Sequence, residues 1–167
     1  MKTFRNFIDD INESSMTRLK SQSDTGGTAV MSASRGNKSG KENRARAKKL
    51  DKDIRGKFGK GATKVTGKYD EKDEKTGQTK RVKERSHVIQ SGKMGKRKFK
   101  KAVKSLGKKY GQDSVITQQK GSKDATLKRT RKGAMSKRNI KLGKMRPGRS
   151  GENETQKKGK TFTYDTK

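Results

Sequence analysis

Hydrophobic side chains recur at helical spacing in three segments of the chain. Positions i, i+3, i+4 and i+7 share one face of a helix, and this pattern predicts a short amphipathic helix over residues 3–13. Its apolar stripe consists of Phe4, Phe7, Ile8 and Ile11. The same spacing predicts helices over residues 42–58 and 94–110, each with one apolar stripe and a surface of Lys and Arg.

Alternation of apolar and polar residues predicts strands between and after these helices. Residues 62–69 and 80–90 flank a short charged segment and predict a β-hairpin. Further short strands are predicted over residues 113–118, 125–129, 139–145 and 161–165. Residues 14–41 are rich in Ser and Gly and lack periodicity, so they predict a flexible linker. Residues 146–160 predict a loop.

This order of elements predicts an α+β fold. The expected domain covers residues 42–165 and consists of two helices and a short, mostly antiparallel sheet. The N-terminal amphipathic helix and the linker precede it. The expected core consists of Leu50, Ile54, Phe58, Val65, Tyr69, Val88, Phe99, Val103, Leu106, Tyr110, Val115 and Leu142.

Composition limits the size of that domain. The chain has 48 Lys and Arg against 17 Asp and Glu, a formal charge of +31, and only 23% of its residues are hydrophobic. Such a composition is typical of disordered chains. The few hydrophobic residues are enough for one small domain but too few for the core of a large enzyme. The absence of Cys excludes disulfides and thiolate chemistry. No apolar run is long enough to span a membrane, and no membrane partner is expected.

The positive charge predicts a polyanionic partner, and nucleic acid is the usual one. Aromatic residues are few and are assigned to the core, so we expect sequence-independent contacts to phosphates, with DNA as the expected nucleic acid. The alternative for each basic residue is an ordinary solvated surface. The predicted nucleic-acid-binding residues are Lys96, Arg97, Lys100, Lys101, Lys104, Lys108, Lys128, Arg129, Arg131, Lys132, Lys137, Arg138, Arg146 and Arg149.

The sequence offers little for catalysis. His87 is the only imidazole, and its place beside Val88 in a predicted strand favours a structural or surface role. Cys and His do not form a cluster with metal-ligand spacing, so no catalytic residue, metal or cofactor is expected. An enzyme would have to use isolated acids near the predicted sheet, namely Glu84, Asp113 and Asp124.

The first 14 residues resemble the capsid-targeting leader of internal head proteins of T-even-like tailed bacteriophages. The matching residues are Met1, Lys2, Thr3, Phe4, Phe7 and Ile8. In that family a prohead protease cuts after Glu in a Leu/Ile-x-Glu sequence. Ile11-Asn12-Glu13 has this form, so the resemblance implies cleavage between Glu13 and Ser14.

Residues 42–119 also faintly resemble a small uncharacterised domain of phages and bacteria. The resemblance lies in Glu42-Asn43 to Arg46, in Asp53-Ile54-Arg55 and in the segment from Lys108 to Val115. It implies a folded domain and no particular activity.

Together these observations predict a non-enzymatic internal head protein that is packaged with DNA in the virion. The resemblance implies that the prohead core or scaffold and the prohead protease are partners. The expected location is the interior of the virion head. Before assembly, and after any injection, the protein is expected in the host cytoplasm. Two alternatives remain open: a ribosome- or nucleoid-associated binding protein, and an injected enzyme or anti-defence factor.

Overall fold

Eight antiparallel strands close into a barrel in the part of the chain that the structure describes. The structure is a computed structural model that describes residues 16–72, 76–132, 139–150 and 154–164. Its elements are α1 (16–26), β1 (Thr28–Ser32), α2 (Gly40–Phe58), β2 (Thr63–Lys72), β3 (Thr79–Gln90), α3 (Lys96–Lys109), β4 (Ser114–Gln118), β5 (Asp124–Arg129), β6 (Asn139–Pro147), β7 (Glu154–Lys157) and β8 (Lys160–Tyr164).

Several predicted features lie outside the described residues. They are the leader stripe of Phe4, Phe7, Ile8 and Ile11, the proposed cleavage bond between Glu13 and Ser14, and the basic residues Lys137 and Arg138. The leader and its cleavage therefore stay predictions.

The strand order around the barrel is β1-β3-β2-β7-β8-β6-β5-β4, and β4 pairs with β1 to close it. The β2–β3 hairpin is confirmed, with Thr63 opposite Val88 and Lys72 opposite Thr79. The predicted α+β class with a short sheet is wrong, because the described fold is predominantly β. The error arose from pairing, since periodicity marks single strands and does not show that they form a ring.

Two strands lie in segments that were predicted to be irregular. β1 lies within residues 14–41, the predicted linker, and β7 lies within residues 146–160, the predicted loop. All five residues of β1 are buried. A strand that is covered on both faces lacks polar alternation, so the pattern used to recognise strands is absent there.

The helices predicted over residues 42–58 and 94–110 are confirmed as α2 and α3. Ser39 caps α2: its side chain accepts a hydrogen bond from the Glu42 backbone, and the Glu42 carboxylate accepts one from the Ser39 backbone. Gly59 ends the helix at a φ of 72°, a conformation that favours glycine. These local signals are in the sequence, which explains why the helices were predictable.

The hydrophobic core has two parts, one on each face of the barrel wall. The outer cluster packs α2 and α3 against β1, β3 and β4, through residues that include Leu50, Ile54, Ile89, Phe99, Val103 and Leu106. The inner cluster joins strands from around the barrel, so it fills the interior, and α1 contributes to it. Its members are Met16, Leu19, Val30, Val65, Val88, Met145 and Phe162.

Most of the predicted core residues are buried, but Phe58, Tyr69 and Leu142 are only half-buried. Met145, rather than Leu142, faces the interior from β6. Within the described ranges, no helix is both long and apolar enough to cross a membrane.

Helix α3 lies very close to the barrel wall. A Cβ atom at Gly107 would lie 2.7 Å from Cγ2 of Thr130 and 3.0 Å from Cγ1 of Val115. Glycine at this position therefore allows the C-terminal half of α3 to approach β4. This approach sets the relative position of the two elements that form the candidate site.

Candidate functional site

A cleft runs between α3 and strands β4 and β5, and we call it the α3–β4 cleft. Lys100, Thr117 and Lys128 lie where its two ends meet and line both of them. One end is also lined by Gly27, Ser91, Met94, Lys96, Phe99, Gln118, Gln119 and Lys120. The other end has a volume of about 210 Å³ and is also lined by Lys104, Val115, Arg129 and Asn139. An apolar wall with a few convergent polar groups is typical of a small-molecule site.

Two ammonium groups meet in the cleft. Burial, together with the neighbouring ammonium of Lys100, lowers the pKa of Lys128. None of the described residues that line the cleft is acidic, so these residues supply no carboxylate to balance the pair. Two cations at short range favour an anion, such as a carboxylate, between them.

Gln118 places an amide in the wall of the cleft. It is 1% exposed, and its Nε2 donates hydrogen bonds to Oδ1 of Asp24 and to the carbonyl of Ser122, each at 2.9 Å. Its Oε1 is buried and meets no hydrogen-bond donor among the described residues. An unsatisfied buried acceptor costs about 1–3 kcal/mol, so this oxygen favours a hydrogen-bond donor beside the cleft.

The structure gathers some of the basic residues singled out from the sequence and separates others. Lys96, Lys100, Lys104, Lys128 and Arg129 line the cleft. Arg97, Lys101 and Lys108 lie on the exposed surface of α3, and Lys132 is exposed after β5. Arg131 forms an ion pair with Asp113, and β6 and the turn after it carry Arg146 and Arg149. Nucleic-acid binding by these residues stays a prediction.

The three acids considered for catalysis do not converge. Asp113 forms ion pairs with Arg131 and, at 3.8 Å, with Arg35. Glu84 lies on β3 and Asp124 begins β5. Over the described ranges, no group of three or more His, Asp or Glu side chains is arranged to hold a metal ion.

The only histidine is buried under α2, away from the cleft. His87 is 2% exposed, and its Nδ1 and the Oδ1 of Asp51 both lack hydrogen-bond partners among the described residues. Burial lowers the pKa of His87, Lys64 lowers it further, and Asp51 opposes the change. Asp51 uses its other oxygen for ion pairs with Arg55 and Lys64, each at 3.5 Å. Of the two roles expected for His87, structural or surface, this buried position excludes the surface one.

We expect the buried neutral His87 to make the fold less stable in mild acid. The unfolded chain takes up the proton near pH 6.5 and the folded chain only at lower pH, so stability falls as pH drops below about 6.5. Each pH unit between the two pKa values costs about 1.4 kcal/mol. Urea unfolding at pH 7.5 and pH 5 measures the loss, and His87→Leu should lose less stability over that interval. An equal loss in both proteins contradicts the assignment.

A second polar cluster joins the two outer helices. Oδ2 of Asp53 accepts hydrogen bonds from the Tyr110 hydroxyl at 2.6 Å and from Nζ of Lys109 at 2.7 Å. Arg46 donates to the carbonyls of Ala33 and Tyr110. Burial and the bond to Asp53 raise the pKa of Tyr110 well above its usual range. Its groups are satisfied by one another, so this cluster holds α2 against α3.

Sequence reasoning missed the polar part of the cleft. Gln118 and Thr117 follow the apolar core of a short strand and carry no local signal of function. The contribution of α1 was also missed, because residues 16–26 fell in the predicted linker or its margin. The lysines were selected for their charge, but the pairing of Lys100 with Lys128 depends on the packing of α3 against β5.

Comparison with known families adds one finding. The family model described as "S-Adenosylmethionine lyase family" matches residues 29–167, which is most of the chain. Apart from Thr28, the first residue of β1, the matched segment includes all eight strands, together with α2, α3 and nearly all of the cleft, whereas α1 precedes it. A search of the curated proteins gives no match.

Proposed function

Because the chain belongs to the S-adenosylmethionine lyase family, we propose that it is an enzyme that cleaves S-adenosylmethionine. The match over residues 29–167 is the observation that carries this proposal. The α3–β4 cleft is the proposed active site, since it combines an apolar wall with cationic and amide groups.

Family membership overturns the prediction of a non-enzymatic, capsid-targeted, DNA-binding head protein. That interpretation is wrong because the S-adenosylmethionine lyase family is an enzyme family. The alternative of an enzyme or anti-defence factor is the one that the family supports. The error followed from composition: a charge of +31 indicates attraction to polyanions but gives no information about a small-molecule site.

Lys100 and Lys128 are the proposed contacts to the substrate's carboxylate. S-adenosylmethionine carries a sulfonium, an ammonium and a carboxylate, and only the carboxylate suits two adjacent lysines. Phe99 and Met94 form an apolar wall at the same end of the cleft. The adenosine part then lies along this wall, and the lysines orient the amino-acid end.

The proposed reaction breaks the bond from the sulfonium sulfur to the γ-carbon of the methionyl chain. The bonding electron pair passes to sulfur, which becomes the neutral thioether of 5′-methylthioadenosine. The new bond to the γ-carbon comes from the substrate's own carboxylate oxygen, which closes a five-membered lactone. Among the described residues that line the cleft there is no Asp, Glu or His to act as a general base, which favours this internal displacement.

Removal of S-adenosylmethionine gives a rationale for an anti-defence role. Methyl-transferring and restriction enzymes draw on this compound, so its consumption would deprive them of a shared reactant. We propose this as the biological use of the activity.

The test is incubation of the purified full chain with S-adenosylmethionine, followed by mass spectrometry of the products. We expect 5′-methylthioadenosine and a second product whose mass completes that of the substrate, since a lyase adds no water. The heat-denatured chain is the control. Formation of S-adenosylhomocysteine would indicate methyl transfer instead, and an intact substrate would exclude the activity.

A further inference from the structure

The hydrogen bonds of the Gln118 amide show which of its two terminal atoms lacks a partner. Both partners of Nε2, the Asp24 carboxylate and the Ser122 carbonyl, are acceptors, so the two amide hydrogens are fully used. The remaining atom is therefore the carbonyl oxygen, held as an acceptor beside the cleft. It needs a donor, and among the described residues it has none.

The cleft around Gln118 also holds the Lys100–Lys128 pair, which favours an anion. A ligand that carries an N–H donor and a carboxylate on the same carbon atom satisfies both features. An α-amino acid has this arrangement. We propose that Oε1 of Gln118 accepts a hydrogen bond from the α-amino group of S-adenosylmethionine, while Lys100 and Lys128 hold its carboxylate. This inference rests on the function proposed above.

Asp24 is then a positioning residue for Gln118. It lies in the last turns of α1, and its Oδ2 forms an ion pair with Lys20, one turn earlier. Without the Asp24 carboxylate, one amide hydrogen of Gln118 loses its acceptor, and the orientation of the amide is no longer determined by two bonds.

Helix α1 is firmly attached to the barrel, although it precedes the segment matched by the family model. Met16 and Leu19 are buried in the inner cluster. Near its end, Gln90 donates a hydrogen bond to Gln22, and the Ser91 hydroxyl donates one to the carbonyl of Gly26. Ser91 and Gly27 line the cleft themselves. An element outside the matched segment therefore holds two residues at this end of the proposed active site, Gln118 and Ser91, by hydrogen bonds.

The experiment measures binding by calorimetry with two probes, S-adenosylmethionine and 5′-methylthioadenosine, which lacks the amino-acid end. We expect Gln118→Leu to weaken binding of S-adenosylmethionine about tenfold and to leave that of 5′-methylthioadenosine unchanged. Gln78→Leu, in the exposed turn before β3, is the matched control and should bind both probes as the unsubstituted chain does.

Asp24 provides a second pair of variants in case Gln118→Leu fails to fold. Asp24→Ala should raise the KM for S-adenosylmethionine severalfold with little change in kcat. Asp24→Asn should restore it, because an amide oxygen still accepts from Nε2 of Gln118. If Asp24 had only a structural role, Asp24→Ala would weaken binding of both probes equally. Asp24→Asn would then not restore the KM for S-adenosylmethionine alone.

The outcomes separate the two proposals. Unchanged binding of S-adenosylmethionine by folded Gln118→Leu, with normal turnover by the unsubstituted chain, overturns the assignment of Gln118 and leaves the proposed function standing. An unsubstituted chain that neither binds nor cleaves S-adenosylmethionine overturns both.

Discussion

Replacement of Lys128 by Met is expected to lower kcat/KM for S-adenosylmethionine about 10- to 100-fold. Lys128 and Lys100 are the adjacent cations of the α3–β4 cleft, and the proposed substrate carboxylate lies between them. A hydrogen bond to a charged group contributes about 1.5–3 kcal/mol, which corresponds to this loss. Steady-state turnover measured by formation of 5′-methylthioadenosine tests the prediction.

Controls separate the loss of this contact from the loss of one charge. Lys52→Met removes an exposed lysine from α2, away from the cleft, and should keep normal kcat/KM. Lys128→Arg keeps a cation and should retain most of the activity. If Lys52→Met and Lys128→Met lose activity equally, the effect comes from net charge and the proposed contact is wrong.

The same lysine predicts the alkaline limit of activity. Because burial and Lys100 lower the pKa of Lys128 from the usual 10.5, its ammonium loses its proton at a lower pH than an ordinary lysine. Substrate binding needs the protonated form, so kcat/KM should fall as pH rises through this lowered value. Lys128→Arg should move the fall to higher pH, since arginine stays charged.

Replacement of Leu19 by Ala is expected to destabilise the fold by about 2–5 kcal/mol. Leu19 is 1% exposed and lies in the inner cluster with Val88, Met145 and Phe162. Truncation to Ala removes contacts and leaves a cavity in the barrel, which surrounding strands cannot close by small shifts. The midpoint of urea unfolding measures the loss.

Thr17→Ala, two residues earlier on the exposed side of α1, is the matched control and should change stability by less than about 0.5 kcal/mol. If Leu19→Ala is equally mild, α1 does not belong to the cooperative fold. The proposed role of Asp24 would then lose its support, because a loosely attached helix cannot hold Gln118.

The local elements were readable from the sequence because their causes are local. The apolar stripes of α2 and α3, the Ser39–Glu42 cap and the alternation in the β2–β3 hairpin each lie within a few residues. Most of the predicted core residues that lie in the outer cluster belong to the same two stripes. The concentration of lysine on α3 was visible for the same reason.

The barrel and the candidate site depend on contacts between residues far apart in the chain. The closing pair joins β1 to β4, for example Val30 to Ile116, and no local pattern marks that pairing. The contact of Asp24 with Gln118 spans 94 positions, and the Lys100–Lys128 pair needs α3 packed against β5.

The sequence by itself therefore determined helices α2 and α3, most of the strands and the strong positive charge of this protein. Tertiary structure alone decided that the strands close into a ring, that α1 contributes to the cluster inside it, and that two lysines and one amide share a cleft. The physical reason is the range of the interactions: helical stripes, caps and strand alternation act over a few residues, whereas burial and charge proximity depend on the whole fold.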